Sequence, residues 1–198
     1  MDEAAPAPEL TRDAFLGGRL QLWQPAEGYR AATDPVLLAA ACPAGPGARV
    51  LDLGCGVGTA ALCLATRVPG LQLAGLEIQP FYADLARRNA AKAAVDFEIV
   101  TGDLARMPAA LRQPFDHVIA NPPYYPRHGT PSPDPGRAMA LSGGPPLAAW
   151  IDAAVAGSIF PSTACFHHSR SFGNDCPAVS TARASFSMTP VVGSKNLA

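Results

Sequence analysis

Residues 50–59 read Val-Leu-Asp-Leu-Gly-Cys-Gly-Val-Gly-Thr, and the rest of this chain is arranged around them. The pattern predicts a short apolar strand, a glycine-rich turn and the start of a helix. Asp52 stands before three alternating glycines: Gly54, Gly56 and Gly58. Without a Cβ atom, glycine adopts positive φ and lets the backbone approach a ligand, and the following helix N-terminus presents unpaired N–H groups to anions. The spacing differs from the G-x-G-x-x-G of dinucleotide-binding folds, and a purely structural turn is the alternative.

Two further predicted strands each lead to a carboxylate. The first of these strands is Leu71–Glu77, and it ends in Glu77. This residue follows the glycine loop by about the length of one helix plus one strand. In βαβ nucleotide-binding folds an acid at that place accepts hydrogen bonds from the ribose hydroxyls. The next strand, Phe97–Val100, is followed by Asp103, which would lie on the ligand side of the sheet. A turn-forming role is the alternative for Asp103.

A fourth predicted strand, Phe115–Ala120, runs into the tetrapeptide Asn121-Pro122-Pro123-Tyr124. Together with the glycine loop and Glu77, this tetrapeptide resembles the class I S-adenosylmethionine-dependent methyltransferases that methylate amino groups. The resemblance implies an α/β fold with a Rossmann-like, doubly wound and mostly parallel sheet, and S-adenosyl-L-methionine as the cofactor. It also implies that Asp103 caps the adenine amine of the cofactor. The residues assigned to the cofactor in this way are Asp52, Gly54, Gly56, Gly58, Glu77, Asp103 and Asn121.

The Asn-Pro-Pro-Tyr turn suits methyl transfer to a poor nitrogen nucleophile. The lone pair of the adenine amine is delocalised into the ring, and two acceptors that hold its two N–H groups would free that lone pair. Asn121 offers a side-chain carbonyl, and Pro122 offers a backbone carbonyl stiffened by two consecutive prolines. Tyr124 offers a face on which a splayed-out base can stack. These three residues are the predicted catalytic set, and positioning replaces a general base; a simple strand-ending turn is the alternative.

The turn by itself does not distinguish an amine from an amide. A glutamine side chain presents the same two N–H groups and a similarly delocalised lone pair. A protein-glutamine N5-methyltransferase, of the kind that modifies release factors, is therefore the main rival function. A third possibility is a truncated or frame-shifted relic that binds the cofactor without activity.

Residues 24–35 precede the first core strand and read Gln-Pro-Ala-Glu-Gly-Tyr-Arg-Ala-Ala-Thr-Asp-Pro. Thr33 or Asp34 is a suitable N-cap for the helix that follows, and the proline fits its first turn. The segment resembles the one that flanks the methionine end of the cofactor in bacterial tRNA(Val) adenine-N6 methyltransferases. That resemblance implies a site role for Tyr29, Arg30 and Asp34, although helix capping alone is the alternative for Asp34. It favours an adenine of tRNA, near the anticodon, as the substrate.

The chain is predicted to divide into three parts. Residues 1–9 are rich in alanine and proline and are expected to be disordered, and residues 10–155 form the methyltransferase domain, which starts with a hairpin around Gly17-Gly18. Residues 156–198 are rich in serine, phenylalanine and threonine without a sustained period, which predicts an irregular tail lacking the family's C-terminal strands. The strand at 115–120 would then be an exposed edge. Helices are predicted at 59–67, 81–91, 105–111 and 147–155.

Composition restricts the remaining possibilities. The 198 residues include 15 basic and 16 acidic side chains, so composition shows no basic footprint for nucleic acid. The five cysteines contain no C-x-x-C pair, which suits a reducing compartment. Cys165, His167, His168 and Cys176 fit no structural zinc spacing, so no metal is expected. With an acidic N-terminus and no long apolar run, we expect a soluble cytoplasmic protein that uses no membrane. The resemblance to the tRNA methyltransferases, and not the composition, implies tRNA as the partner.

Overall fold

A five-stranded parallel sheet and a separate antiparallel hairpin form the framework of the protein in a computed structural model. The structure describes residues 8–122, 145–157 and 164–166. The strands of this part, numbered in chain order, are β1 (Leu10–Phe15), β2 (Leu20–Pro25), β3 (Arg49–Leu53), β4 (Gln72–Glu77), β5 (Phe97–Thr101), β6 (His117–Ala120) and β7 (Ala164–Phe166). The hairpin is β1-β2, and the order across the sheet is β5-β4-β3-β6-β7.

Helices connect the strands and cover both faces of the sheet. Parallel neighbours joined through helices are the doubly wound α/β arrangement that the sequence predicted, and the fold class is confirmed. In the described residues the helices are α1 (Asp34–Ala41), α2 (Thr59–Arg67), α3 (Pro80–Ala93) and α4 (Leu147–Gly157), with 3-10 turns at Leu16–Gly18, Leu104–Arg106 and Ala109–Leu111.

The central strand β3 is apolar on both faces. Val50, Leu51 and Leu53 are fully buried, and the strand pairs in parallel with β4 on one side and β6 on the other. Strands covered by helices on both faces have this nearly continuous apolar sequence. Asp52 is the polar exception, close to the carboxyl end of the strand, where ligands of parallel α/β sheets bind.

Two apolar cores lie on opposite faces of the sheet. One joins Val50 and Ile119 of the sheet to Leu62 of α2, and it also includes buried side chains of β2, α1 and α3. The other joins Leu53 of the sheet to Trp150 of α4. The hairpin segment 10–25 packs on α2 and α3 on the side of the first core, whereas α4 contacts β3 and β6 from the other face of the sheet.

The predicted N-terminal hairpin is confirmed, and a buried amide fastens it to the sheet domain. Asn89 of α3 is fully buried and accepts a hydrogen bond from the backbone N–H of Trp23 at 2.8 Å. Its amide nitrogen donates to the carbonyl oxygens of Trp23 and Val57, both at 3.0 Å. One side chain thus ties β2 to the glycine loop.

The predicted side-chain N-cap of α1 is wrong. Thr33 occupies the N-cap position with φ −80° and ψ −33°, and its side chain makes no capping hydrogen bond. An N-cap hydroxyl reaches the first N–H groups from an extended backbone, which this helical conformation does not provide. Asp34 is the first residue of the helix itself, so it is not the cap.

The helix predicted at 105–111 is two 3-10 turns, Leu104–Arg106 and Ala109–Leu111. Pro108 separates them and disfavours the helical conformation in the residue before it. Met107 accordingly has φ −39° and ψ 120°. The proline was visible in the sequence, but its effect on the helix was not weighed.

The prediction that β6 is an exposed edge is wrong over three residues. Strand β7 pairs in parallel with it, with Val118 opposite Ala164 and Ala120 opposite Phe166. A three-residue strand is too short to produce a periodicity, which is why the sequence did not reveal it. The rest of the segment predicted to be irregular, residues 158–163 and 167–198, lies outside the described residues, as does the predicted disorder of residues 1–7.

Candidate functional site

One cavity opens at the carboxyl ends of β3, β4, β5 and β6. This is the edge of the sheet where the sequence placed its candidate residues. The walls come from the segment before α1, the glycine loop, the ends of the strands and α4. They consist of Tyr29, Ala31, Pro35, Asp52, Gly54, Cys55, Gly56, Val57, Thr59, Ala60, Leu76, Glu77, Ile78, Gln79, Tyr82, Gly102, Asp103, Leu104, Asn121, Pro145 and Trp150.

The glycine loop owes its glycines to two different causes. All three predicted glycines have positive φ, and a Cβ atom at Gly56 would meet nothing within 4 Å, so this face is open for a ligand. A Cβ atom at Gly54 would lie 2.6 Å from Cη2 of Trp150. At Gly58, which does not line the described cavity, it would lie 3.1 Å from the Phe97 ring. Gly56 therefore leaves open space in the cavity that a ligand could occupy, whereas the Trp150 and Phe97 rings leave little room for a side chain at the other two.

Glu77 holds the glycine loop through the backbone. Its Oε2 accepts the N–H of Gly56 and its Oε1 accepts the N–H of Gln79, both at 2.9 Å. Burial raises the pKa of the Glu77 carboxyl, and these N–H groups oppose the rise by stabilising the anion. Each carboxylate oxygen has a second lone pair, so a bond to a ribose hydroxyl remains open to Glu77.

Asp52 is only 3% exposed, and it differs from Glu77 in its hydrogen bonds. Within the described part of the chain its Oδ2 has no hydrogen-bond partner. Burial, reinforced by the charge of Glu77, raises the pKa of Asp52 to about 8, although a bond from the backbone of Ala61 opposes the rise. A cation bound in the cavity would favour the ionised form of Asp52.

The predicted residues at the ends of β5 and β6 also line the cavity. Asp103 uses Oδ1 to accept the N–H of Ala105 at 2.9 Å, so the turn-forming role is present alongside a place in the cavity wall. The side chain of Asn121 lies near the Tyr29 hydroxyl. Burial is the main cause that raises the pKa of this hydroxyl, with nearby Asp34 and Tyr82 adding to it, whereas the Asn121 side chain lowers it.

Besides Gly58, three predicted residues in the described part of the chain do not line the cavity. The Arg30 guanidinium forms an ion pair with Asp13 at 2.6 Å and donates to Thr11 Oγ1 and to a β2 carbonyl, so it fastens the segment before α1 to the hairpin. Asp34 acts on Tyr29 through its charge, as described above. Pro122 follows Asn121 and does not line the cavity as described. Tyr124 lies outside the described residues, so its stacking role stays a prediction.

Sequence reasoning missed two polar groups of the wall. Thr59, at the start of α2, is 2% exposed, and Trp150 of α4 is 7% exposed. The sequence pattern marks Thr59 only as a helix start and Trp150 only as part of an apolar helix face. No sequence signal distinguishes a tryptophan that lines a cavity from one that fills a core.

Unpartnered polar atoms show that the cavity suits a polar ligand. Of the four buried side-chain atoms without a hydrogen-bond partner in the described residues, three belong to cavity-lining residues: Asp52 Oδ2, Thr59 Oγ1 and Trp150 Nε1. Buried polar groups are almost always paired, so these three need a ligand or water. S-adenosylmethionine carries an ammonium group, hydroxyls and a purine, which offer both donors and acceptors. The residues present therefore fit this cofactor.

Neither a metal centre nor a membrane span is found in the described ranges. No three side chains of histidine, cysteine, aspartate or glutamate there are grouped to hold a metal ion. No helix there combines the length and the apolar character needed to cross a bilayer.

Comparison with known proteins identifies relatives. The tRNA1(Val) (adenine(37)-N6)-methyltransferase of Porphyromonas gingivalis is 34% identical over 140 residues, which cover 66% of this chain and 54% of that protein. The release factor glutamine methyltransferase of Deinococcus radiodurans is 38% identical over 87 residues, 44% of this chain and 30% of that protein. Among solved structures, TrmN from Thermus thermophilus matches with 28% identity and a TM-score of 0.42, over 46% of this chain and 28% of that one. The chain spans about half the length of the first of these relatives.

The family follows from a match to the sequence profile of the methyltransferase small domain over residues 33–132. This range contains the glycine loop, Glu77, Asp103 and Asn121, and it covers half of the chain. The expectation that the cofactor is S-adenosyl-L-methionine is confirmed at the level of the family. The match over half of the chain leads to one conclusion: the chain belongs to the methyltransferase small domain family.

Proposed function

We propose that this chain transfers the methyl group of S-adenosyl-L-methionine to the exocyclic amine of an adenine in tRNA, near the anticodon. The observation that carries the proposal is that Asn121 lines the same cavity as Asp52 and Glu77. An acceptor for amine N–H groups thus lies beside two carboxylates suited to the cofactor. The relatives named adenine-N6 methyltransferases of tRNA support this assignment.

The cofactor would be held by four of the residues that line the cavity. Glu77 would accept the ribose hydroxyls, and Asp103 would accept the adenine amine through its second oxygen. Asp52 would accept the methionyl ammonium through the unpartnered Oδ2, and Gly56 would offer its open face. The cofactor would supply an electrophilic methyl group on its sulfonium.

The target amine would be held by Asn121. The nearby side chain of Asn121 lowers the pKa of the Tyr29 hydroxyl. The Asn121 amide N–H would donate to that hydroxyl, its carbonyl oxygen would accept one N–H of the amine, and the carbonyl of Pro122 would accept the other. Tyr29 would in this way orient the acceptor without touching the methyl group. Preorganised positioning of this kind supplies much of the rate in bimolecular transfers.

Two lines of support favour tRNA over a protein glutamine. The relative named as a tRNA methyltransferase matches over 140 residues, and the glutamine methyltransferase matches over 87. The segment around Tyr29, which resembles the tRNA enzymes, places a hydroxyl near Asn121. Both tRNA and release factor occur in the cytoplasm, so a cytoplasmic location is part of this proposal. Glutamine stays the second candidate because the match to the release factor enzyme has the higher identity, 38% against 34%.

A labelling experiment separates the candidates. The purified chain is incubated with S-adenosylmethionine carrying a labelled methyl group, together with tRNA from a strain that lacks this gene or with release factor. We expect label in RNA, and nucleoside mass spectrometry should identify N6-methyladenosine. Label in a glutamine of the release factor would replace this proposal with its rival.

The inactive relic is tested in the same experiment. Absence of label in both substrates, combined with cofactor binding measured by calorimetry, would favour it over both enzymatic functions. An Asn121→Ala variant serves as the matched control, because it should bind the cofactor and transfer no label.

A further inference from the structure

We propose that the indole N–H of Trp150 donates a hydrogen bond to the nucleoside half of bound S-adenosylmethionine. The inference deepens the proposed function and rests on it for the identity of the ligand. It assigns a binding role to a residue of helix α4, whereas the other proposed cofactor residues lie at strand ends or in the glycine loop.

The first observation is an unpaired donor. Trp150 is 7% exposed, and within the described residues its Nε1 has no hydrogen-bond partner. A buried tryptophan N–H usually has a partner, since leaving it unpaired costs free energy. The indole nitrogen only donates, so the missing partner is an acceptor. The purine nitrogens and ribose oxygens of the cofactor are acceptors of this kind.

The second observation is that Trp150 forms part of the cavity wall. Its ring packs so closely on the glycine loop that a Cβ atom at Gly54 would lie 2.6 Å from Cη2 and 3.0 Å from Cζ3. Cζ2, on the side of the ring that carries the indole nitrogen, is 3.9 Å from the same position. The six-membered ring thus abuts the loop, while the residue lines the cavity together with Leu104 and Asn121.

The neighbours of Trp150 indicate which half of the cofactor it would meet. It shares an apolar cluster with Leu53 and Leu76, and the partly buried Leu104 packs against the same cluster. Leu76 directly precedes Glu77 in the chain. Helix α4 also contacts the turn Leu104–Arg106, which directly follows Asp103. Those two carboxylates are the proposed acceptors for the ribose and the adenine. Trp150 therefore lies toward the nucleoside half.

Substituting Trp150→Phe tests the hydrogen bond with little change in packing, because phenylalanine keeps an aromatic ring and removes the N–H. Calorimetry without any RNA measures binding of S-adenosylhomocysteine and of 5′-methylthioadenosine, which lacks the amino acid part. Loss of a neutral hydrogen bond should weaken both affinities by about three- to tenfold. Trp23→Phe is the matched control, because Trp23 does not belong to the described cavity wall. Its ring centroid lies 4.2 Å from Cζ of Arg88. The affinity of this variant for both ligands should equal that of the parent chain.

Two results would overturn the inference. Unchanged affinity of Trp150→Phe for both ligands would reduce Trp150 to a packing residue. Weakened binding of S-adenosylhomocysteine with unchanged binding of methylthioadenosine would contradict the nucleoside assignment. Because neither measurement involves a methyl acceptor, failure of the tRNA proposal would not be mistaken for failure here.

Fluorescence adds a measurement that does not depend on folding of the Trp150→Phe variant. Trp23 and Trp150 are the two tryptophans of the sequence, so Trp23→Phe leaves Trp150 as the sole indole. Its emission should change when S-adenosylhomocysteine or methylthioadenosine is added. An emission spectrum that stays constant while calorimetry shows saturation would contradict the proposed contact.

Discussion

The carboxyl ends of β3 and β4 each carry a buried carboxylate, and the backbone meets the two groups differently. Glu77 accepts backbone N–H groups with both oxygens, from Gly56 and Gln79. Asp52 keeps one oxygen without a partner in the described residues, and burial raises its pKa to about 8. Backbone N–H groups therefore offset part of the effect of burial on the Glu77 anion before any ligand arrives, whereas the unpartnered oxygen of Asp52 is left for a bound cation. Neighbouring acids on one sheet edge thus suit different parts of one ligand.

The largest effect is expected at Asn121, which lines the same cavity as the two carboxylates. Asn121→Ala should lower turnover on the true substrate by about a hundredfold or more, the usual effect of removing one preorganised polar group at a reacting centre. Cofactor affinity should stay near that of the parent chain, since Asp52 and Glu77 are unchanged. Single-turnover rates and calorimetry measure the two quantities. Near-normal turnover would refute the amine-positioning role.

Glu77→Ala is expected to have the next largest effect. It removes the predicted ribose contacts and also the acceptors that hold Gly56 and Gln79. A hydrogen bond to a charged group contributes about 1.5–3 kcal/mol, so cofactor affinity should fall about tenfold or more. Glu98→Ala is the matched control, because Glu98 is exposed on β5. Unchanged affinity in a folded Glu77→Ala variant would remove Glu77 from the site.

Cofactor affinity should also depend on pH through Asp52. Because its pKa is about 8 without ligand, the group is mostly protonated at pH 6 and must lose its proton to hold the ammonium. Affinity should rise by up to about tenfold between pH 6 and pH 7, below the titration of the cofactor's own amine. Calorimetry in buffers of different ionisation enthalpy should show proton release. The pH dependence should be absent in Asp52→Asn, and its persistence there would assign it to another group.

The remaining prediction concerns the stability of the protein without cofactor. A folded-state pKa raised from 3.8 to about 8 means that the folded protein binds the extra proton, so the stability from this group is fully present below pH 3.8 and is lost progressively as pH rises from there to about 8. Asp52→Asn should therefore have a higher melting temperature than the parent at pH 8 and a similar one near pH 3. A lower melting temperature at pH 8 would show that Asp52 is ionised and satisfied in the free protein.

The sequence by itself determined those features whose residues are close together in the chain. The strand, turn and helix start at 50–59 are contiguous, and each depends on residues that are close in the chain: apolar side chains, glycines, and a helix that follows directly. Glu77 and Asp103 could be placed for the same reason, because a parallel α/β sheet brings the carboxyl ends of successive strands to one edge. The strand of 164–166 escaped prediction because three residues carry no period.

Tertiary structure alone determined what each of these residues can do. Arg30, predicted to serve the cofactor, is paired with Asp13 of the hairpin. Gly54, predicted to admit a ligand, makes room for Trp150. The unusual pKa of Asp52 comes from burial beneath surrounding elements and from the charge of Glu77. The sequence determined which groups reach the sheet edge, but burial, pairing and unpaired atoms depend on contacts between segments far apart in the chain, and those exist only after folding.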